Sequence, residues 1–536
     1  MTMTEATKAS TDETAPFRID SALGFWEIAS VRPDRVAVVD PEGRETTFGE
    51  LRRWSDALSH GLRSLGLTTG DTVALVMGNA SAFLAVQLAT SQLGLYITPI
   101  NRHLTGPEIG YILGDSDAKV LIAGAEFAEV AGRAADIAGL PVDQRFTDDA
   151  VSGFRNLTEL SEVAAGASVA APAHRRFGGR MLYTSGTTGR PKGVRKPLPD
   201  AIPERVLAHQ LPTVTRQNGW PPGDGAHLVV APLYHAAPNS HAMHALHIGN
   251  TVVLMEKWLP ELMLQLIPRY RITSTHMVPT MFHRLLALTE DVRAAYDLSS
   301  LNYVVHGAAP CPVHEKHAML RWWGPIIWEY YASTEGGGTS VSPTEWLEHP
   351  GTVGRAWEGA AVKVLDDSGN EAQPGVVGTV YLLGGGGFEY FKDPQKTEAA
   401  RRGDFFTPGD MGHLDQDGWL YLADRRSDLI ISGGVNIYPA EIEAALLAHS
   451  AVADVGVVGL PDDDFGSRVH AVVQLADGAI ASDALVQTLM EFSEDRLAKF
   501  KRPRSLEFRA LPRTPTGKLS RIALRQELLG REDRGN

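Results

Sequence analysis

Apolar residues fall along this chain in two rhythms. Short runs rich in β-branched residues (Val73 to Met77, Val120 to Ala123, His227 to Val230, Thr251 to Leu254, Tyr303 to Val305) predict strands. The segments between them, such as Ala82 to Leu95 and Leu259 to Tyr270, repeat apolar positions at helical spacing. Alternation of the two is the pattern of α/β layers. After about residue 425 the texture changes to a compact α+β unit. It has a helix over Pro439 to Leu447, strands over Val452 to Val458 and Val469 to Leu475, a helix over Ala484 to Arg496 and a last helix after Ser520. The predicted fold class is α/β: a disordered polar tail over 1–16, a large N-terminal domain of layered subdomains over 17–424 and a small α+β C-terminal domain over 425–536. The boundary is placed at Arg425 to Asp428, just after the turn at Asp417-Gly418.

With 536 residues, 43% hydrophobic and 21% charged, the chain has material for a large buried core and lies far from the composition of disorder. Its 64 acidic and 50 basic residues give a formal charge of -14. That balance argues against nucleic acid as a partner and favours small phosphorylated ligands held in a local cationic groove. The single cysteine, Cys311, excludes an internal disulfide and a Cys-based zinc site. No run reaches the ~18 apolar residues of a spanning helix, and Met1 to Pro16 lacks the apolar centre of a secretory signal. A cytoplasmic protein without integral membrane contact is expected.

Candidate chemistry begins at Tyr183-Thr184-Ser185-Gly186-Thr187-Thr188-Gly189-Arg190-Pro191-Lys192-Gly193. The glycines let the backbone approach a ligand closely, consecutive N–H groups can form an anion-binding concavity, and Ser185, Thr187 and Thr188 add hydroxyl donors. The segment describes a phosphate cradle closed by Lys192. It is not a P-loop, because Pro191 stands where that motif has glycine and Gly193 where a hydroxyl should hold magnesium. A solvated Gly/Ser/Thr linker has similar composition, but the apolar lead-in Met181-Leu182-Tyr183 argues against it. This loop and the one after Val305 follow predicted strands, and ligands of open α/β sheets gather at carboxyl ends of strands.

The segment resembles the signature loop of the adenylate-forming superfamily, which includes acyl-CoA synthetases, firefly luciferase and peptide-synthetase adenylation domains. Further matches follow in order from Phe48-Gly49-Glu50-Leu51 onwards. Gly307-Ala308-Ala309 resembles the loop lining the adenine pocket. Glu329-Tyr330-Tyr331-Ala332-Ser333-Thr334-Glu335 resembles the Tyr-Gly-x-Thr-Glu motif, with Ala332 in place of its glycine. The resemblance implies that Tyr331 packs on adenine, Thr334 touches phosphate and Glu335 helps bind magnesium, a hard cation that takes oxygen ligands. Read from its residues alone, that block is better taken as a β-edge with a glycine turn. Phe406-Thr407-Pro408-Gly409-Asp410 and Asp424-Arg425-Arg426-Ser427-Asp428 supply Asp410 for the ribose, Arg425 as its cationic companion and Ser427 at the hinge. Pro408 and Ser427 depart from the usual residues. Gly433 and Gly434 resemble the loop joining a coenzyme A channel, and Lys518 in Pro512 to Lys518 matches the catalytic lysine that bridges carboxylate and α-phosphate. The C-terminal domain is accordingly expected to be mobile.

Pro232-Leu233-Tyr234-His235 resembles the loop set against the acyl pocket, which makes His235 a gate and the next helix a pocket wall. His241, His244 and His247 share helical spacing, yet no carboxylate or cysteine completes a metal site in that stretch. They are read as packing or pocket-wall residues, and Cys311, lacking an evident base, as a structural thiol. Three functions remain open: a carboxylic acid–CoA ligase using ATP, Mg2+ and coenzyme A on a fatty, aryl or alicyclic acid; an adenylation enzyme loading a carrier protein; and a catalytically silent nucleotide-binding protein. Retention of Glu335, Asp410, Arg425 and Lys518 together argues against the third. Homodimerisation is expected from the family alone.

Overall fold

The computed structural model describes residues 24–162, 170–184, 191–220, 222–383, 387–425, 428–432, 435–462, 465–494, 496–497, 499–513 and 519–535. The polar tail over 1–16 lies outside them, as does Ser427. The protein is mixed α/β, with a large N-terminal domain and a smaller C-terminal one.

Two sheets carry most of the large domain. The first has six parallel strands in the order Val36–Val39, Thr251–Leu254, Ala226–Val229, Ser274–Met277, Tyr303–His306 and Ile327–Ala332. Antiparallel strands flank them: Glu45–Thr47 at one edge, Gly338–Val341 and Arg355–Ala356 at the other. The second sheet is wholly parallel, in the order Arg155–Asn156, Arg145–Thr147, Ala118–Ala123, Thr72–Val76, Tyr96–Pro99 and Gly179–Arg180. Parallel strands covered on both faces become continuous apolar runs, and Thr72–Val76 and Tyr303–His306 are buried at every position.

The Ser81–Leu93 helix joins both sheets into one apolar cluster. Only Ser81 and Ser91 escape burial along it, the signature of a helix packed on all sides. It stops at Gly94, whose φ of 70° is the left-handed cap that glycine adopts without penalty, so Leu95 falls outside it. The next helix in space, Phe48–Ser64, begins with a reciprocal cap between Thr47 and Glu50.

A third, antiparallel sheet is made of Ala361–Leu365, Gly378–Leu383, Arg401–Arg402, Phe405–Phe406, Asp410–Leu414 and Leu420–Arg425. Beyond it Val452–Asp462, Gly466–Leu475 and Ser505–Phe508 form a small sheet with the helices Pro439–Leu447, Asp483–Glu494 and Arg521–Gly535. That unit has its own apolar cluster around Ile437, Ile442, Leu446, Val455 and Val473, which gives it an independent core. Among the described residues no helix is long and apolar enough to cross a membrane.

Candidate active site

The segment around the signature loop departs from expectation in one respect. Leu182–Thr184 pairs antiparallel with Lys192–Arg195, Thr184 opposite Lys192, and Glu389–Tyr390 completes this three-stranded sheet. The loop is thus the end of a hairpin, not the carboxyl end of a strand in an open parallel sheet. In the second strand Gly193 and Val194 are buried while Lys192 and Arg195 at its ends are half-buried. The hairpin is tied down by Tyr183 Oη donating to Asp115 Oδ2 (2.6 Å), Tyr111 Oη donating to the Pro191 carbonyl (3.2 Å) and Lys192 Nζ donating to Asp393 Oδ2 (2.8 Å). Ser185, Gly186, Thr187, Thr188 and Gly189 lie outside the described residues, as do Gly433, Gly434 and Lys518.

The Tyr303–His306 strand ends at a loop that lines a cleft. Gly307 is packed so closely that a Cβ would meet the Tyr330 ring at 2.7 Å, and Ala308 is held at φ 69°, a conformation a non-glycine residue adopts only when its surroundings enforce it. Ala308 and Ala309 line a large cleft of about 3260 Å³ that also reaches residues of the C-terminal domain, among them Glu441, Asp454 and Arg521.

Ile327–Ala332 lies inside the large sheet, paired on both sides, and not at its edge. Strand alternation sends Glu329 and Tyr331 to one face and Tyr330 to the other. Tyr331 Oη donates to Asp410 Oδ2 (2.7 Å), and Asp410 sits opposite Arg425 in the antiparallel ladder. Glu335, 8% exposed, accepts from Tyr390 Oη at 2.7 Å and from the Ser333 hydroxyl. Lys396 lies 4.5 Å from the Tyr390 ring centre, and burial lowers its pKa. Thr334 lines the same part of the cleft. A carboxylate with two hydroxyl donors and a lysine beside it fits a magnesium–phosphate group, since hard oxygen is the ligand that ion takes.

Glu329 is occupied differently. Its carboxylate accepts from Lys316 Nζ at 2.6 Å, and His306 Nε2 lies 3.4 Å away. Lys316 is fully buried over the face of Trp346. Burial raises the Glu329 pKa while Lys316 opposes it. Sequence reading named Glu329 but not Lys316, which carries no motif and stands among His314, Glu315, His317 and Arg321 in the helix Val313–Trp323 with nothing to set it apart.

On the opposite side, Tyr330 Oη meets His276 Nε2 at 3.0 Å. His235 heads the helix Ala236–His247, its ring 4.3 Å from that of Tyr234. His241 and His244 both face Trp220 and line the cleft, whereas His247 packs on Trp26 and receives the Phe25 N–H (3.3 Å). Burial pushes His241 and His247 down to about 4 and His244 to about 3. All three are neutral near pH 7. Among the described residues no group of three or more His, Cys, Asp or Glu is placed to hold a metal ion. Burial and Glu329 push the Cys311 thiol well above its ordinary range, which suits an inert thiol.

A family model described as AMP-binding enzyme matches residues 25–389, and one described as AMP-binding enzyme C-terminal domain matches residues 441–518. The chain belongs to the AMP-binding enzyme family. Relatives of this AMP-binding enzyme include the fatty acid–[acyl-carrier-protein] ligase ScoC of Streptomyces coeruleorubidus, 32% identical over 508 residues (91% of this chain, 93% of the relative). The long-chain-fatty-acid–CoA ligase FadD13 of Mycobacterium tuberculosis is 31% identical over 515 residues (93% and 96%). Among solved structures, the o-succinylbenzoate CoA synthetase MenE of Bacillus subtilis, in complex with the acyl-adenylate intermediate OSB-AMP, superposes with a TM-score of 0.79 at 28% identity, covering 93% of this chain and 97% of that one.

Proposed function

We propose that this AMP-binding enzyme is an acid–thiol ligase that joins a carboxylic acid to coenzyme A through an acyl-adenylate. The observation carrying the proposal is the meeting, on one cleft wall, of the Tyr331–Asp410 and Glu335–Tyr390 pairs beside the Gly307-Ala308-Ala309 loop. Tyr331 offers its ring to adenine, and Asp410 accepts from ribose hydroxyls with Arg425 beside it. Glu335 would hold magnesium, which supplies charge neutralisation at the phosphates. In the first half-reaction a carboxylate oxygen attacks the α-phosphorus and pyrophosphate leaves. In the second, the thiol sulfur bonds to the acyl carbon, the acyl–phosphate bond breaks and AMP leaves with the electron pair. Lys192, Thr334 and the residues at 184–189 contact phosphate in this reading, Lys518 stabilises the charge that builds during the first step, and His235 gates the acid. Domain exchange about Ser427 brings Gly433 and Gly434 to the thiol channel, with the boundary after residue 424.

Pyrophosphate release across a panel of acids, with and without coenzyme A, tests the proposal. Acid-dependent release that Lys518→Ala abolishes, with acyl-CoA formed only when coenzyme A is present, is expected. Acyl-AMP that accumulates without transfer to coenzyme A would favour a carrier protein as acceptor, a reading that the relative ScoC supports. Cytoplasmic residence and a homodimer belong to the proposal on family resemblance alone; fractionation and light scattering check them.

A further inference from the structure

Beside the pairs that serve the nucleotide, Arg180 lines the cleft with no carboxylate partner among the described residues. Arg180 closes the Gly179–Arg180 strand at the edge of the second sheet, and its Nη1 donates to Asn239 Oδ1 (2.8 Å) and the Ala236 carbonyl (3.4 Å) in the first turn of Ala236–His247. Both acceptors are neutral. Asn239 is itself locked by Gln87, each amide donating to the other (2.6 and 2.7 Å). Among the described residues no carboxylate pairs with Arg180, and burial pulls its pKa down to about 10. Lys196, also half-buried on this side, has its pKa lowered by burial and by Arg180, with Glu335 acting against them.

Polar atoms beside Arg180 are also held ready. His241 Nδ1–H donates to the Ala237 carbonyl (2.8 Å), which leaves Nε2 as an acceptor on the cleft wall. His276, 4.5 Å from His241 between ring centres, is 3% exposed; it spends Nε2 on Tyr330, and its buried Nδ1 has no hydrogen-bond partner. The buried Nδ1 of His276 is costly unless a ligand completes it, and Arg180, half-buried, turns its remaining N–H donors to the cleft. A plain aliphatic acid whose one carboxylate is engaged at the α-phosphate would leave all of them unmet.

We propose that the acid accepted here carries a second anionic group, a carboxylate or its equivalent, which pairs with Arg180, and that His241 and His276 hydrogen-bond polar atoms between its two ends. This rests on the ligase reading for the chemistry at the first carboxylate. Arg180 is then a specificity residue and the substrate class is that of dicarboxylic or similarly dianionic acids.

The test pairs each α,ω-dicarboxylic acid from succinic to suberic, and phthalic acid, with its monocarboxylic analogue. The wild-type enzyme is expected to favour a diacid by on the order of 10²-fold in kcat/KM, the low end of the loss when one partner of a hydrogen-bonded charge pair is removed. Arg180→Met should erase that ratio and Arg180→Lys restore part of it. A wild-type preference for the monoacid overturns the assignment whatever the variants do. An equal loss for both acids in Arg180→Met would overturn it too, placing Arg180 on the reacting carboxylate. Calorimetric titration of the wild-type enzyme with the acids separates the two failures. No pyrophosphate with any acid sinks the ligase reading, whereas a diacid that binds no tighter than its monoacid sinks the role of Arg180.

Discussion

The two ends of the cleft are built to opposite plans. Toward the nucleotide motifs, charged and hydroxyl groups come in completed pairs: Tyr331 with Asp410, Tyr390 with Glu335, Lys192 with Asp393, Lys316 with Glu329. Toward Arg180 the polar groups are incomplete, with imidazoles kept neutral by burial and a half-buried guanidinium resting on neutral oxygens. A site whose partners are internal is rigid before any ligand arrives, and that suits a cosubstrate which never changes. An incomplete site obtains its last partners from the ligand, and that is where selectivity is largest.

The contrast breaks first, and most severely, at Lys316. Lys316→Met leaves the Glu329 carboxylate buried without its cation, a change expected to cost about 3–5 kcal/mol of stability. Chemical unfolding followed by tryptophan fluorescence measures it. The double variant Lys316→Met with Glu329→Gln should regain most of the loss, because no buried charge remains. If the single variant is as stable as wild type, the pair is not an element of the nucleotide wall's rigidity.

Asp410→Ala should raise the KM for ATP on the order of 10- to 100-fold, the range for hydrogen bonds to a charged group, while the KM for the acid changes little. Equal changes in both constants would erase the division between the two ends.

Acidity separates the ends by a different route. His241, His244 and His247 have folded-state pKa values of about 4, 3 and 4, below the ordinary 6.5. Below 6.5 the unfolded chain binds protons that the folded one refuses, so stability is whole above that pH and falls as pH drops toward 4. Each histidine adds a slope of about 1.4 kcal/mol per pH unit within the window, an upper limit for buried groups. His244→Phe should flatten the profile by one proton. A profile unchanged between pH 7 and 4.5 would show that these imidazoles are not held neutral by the fold.

What the chain discloses by itself follows the same division. The parallel strands and the Ser81–Leu93 helix were legible because burial on both faces makes continuous apolar runs, and the small domain because the apolar runs of its strands Val452–Asp462 and Gly466–Leu475 flank Ile442 and Leu446 at helical spacing. The antiparallel sheet from Ala361 to Arg425 was not, since strands such as Arg401–Arg402 and Phe405–Phe406 are too short to set a period. Glu335, Tyr331 and Asp410 could be named in advance because they sit in ordered motifs; Lys316, Tyr390 and Arg180 could not. Tyr390 reaches Glu335 across 55 positions, and Arg180 is set against Asn239 across 59, separations over which local pattern carries no information. The hairpin around the signature loop also escaped, because pairing of Leu182–Thr184 with Lys192–Arg195 depends on the third strand at Glu389–Tyr390.

The smallest effect gives the finest cut, because it compares neighbours. Tyr330 and Tyr331 differ by one position on one strand and point to opposite faces of the sheet, one to His276 and the other to Asp410. Tyr331→Phe keeps the ring that would lie on adenine and removes only the hydroxyl that donates to Asp410. Asp410 keeps its other contacts, so the loss is that of one hydrogen bond, about 1 kcal/mol, and the KM for ATP should rise roughly five-fold with kcat unchanged. Tyr330→Phe removes a hydroxyl of the same kind, but its partner His276 then has both ring nitrogens buried without a bond in the free enzyme. Its effect should fall on the KM for the acid and leave that for ATP in place. Steady-state kinetics of the two variants side by side, each with the other substrate saturating, therefore read the division directly. Effects on both constants in both variants would mean that the strand moves as one piece and the cleft has a single end.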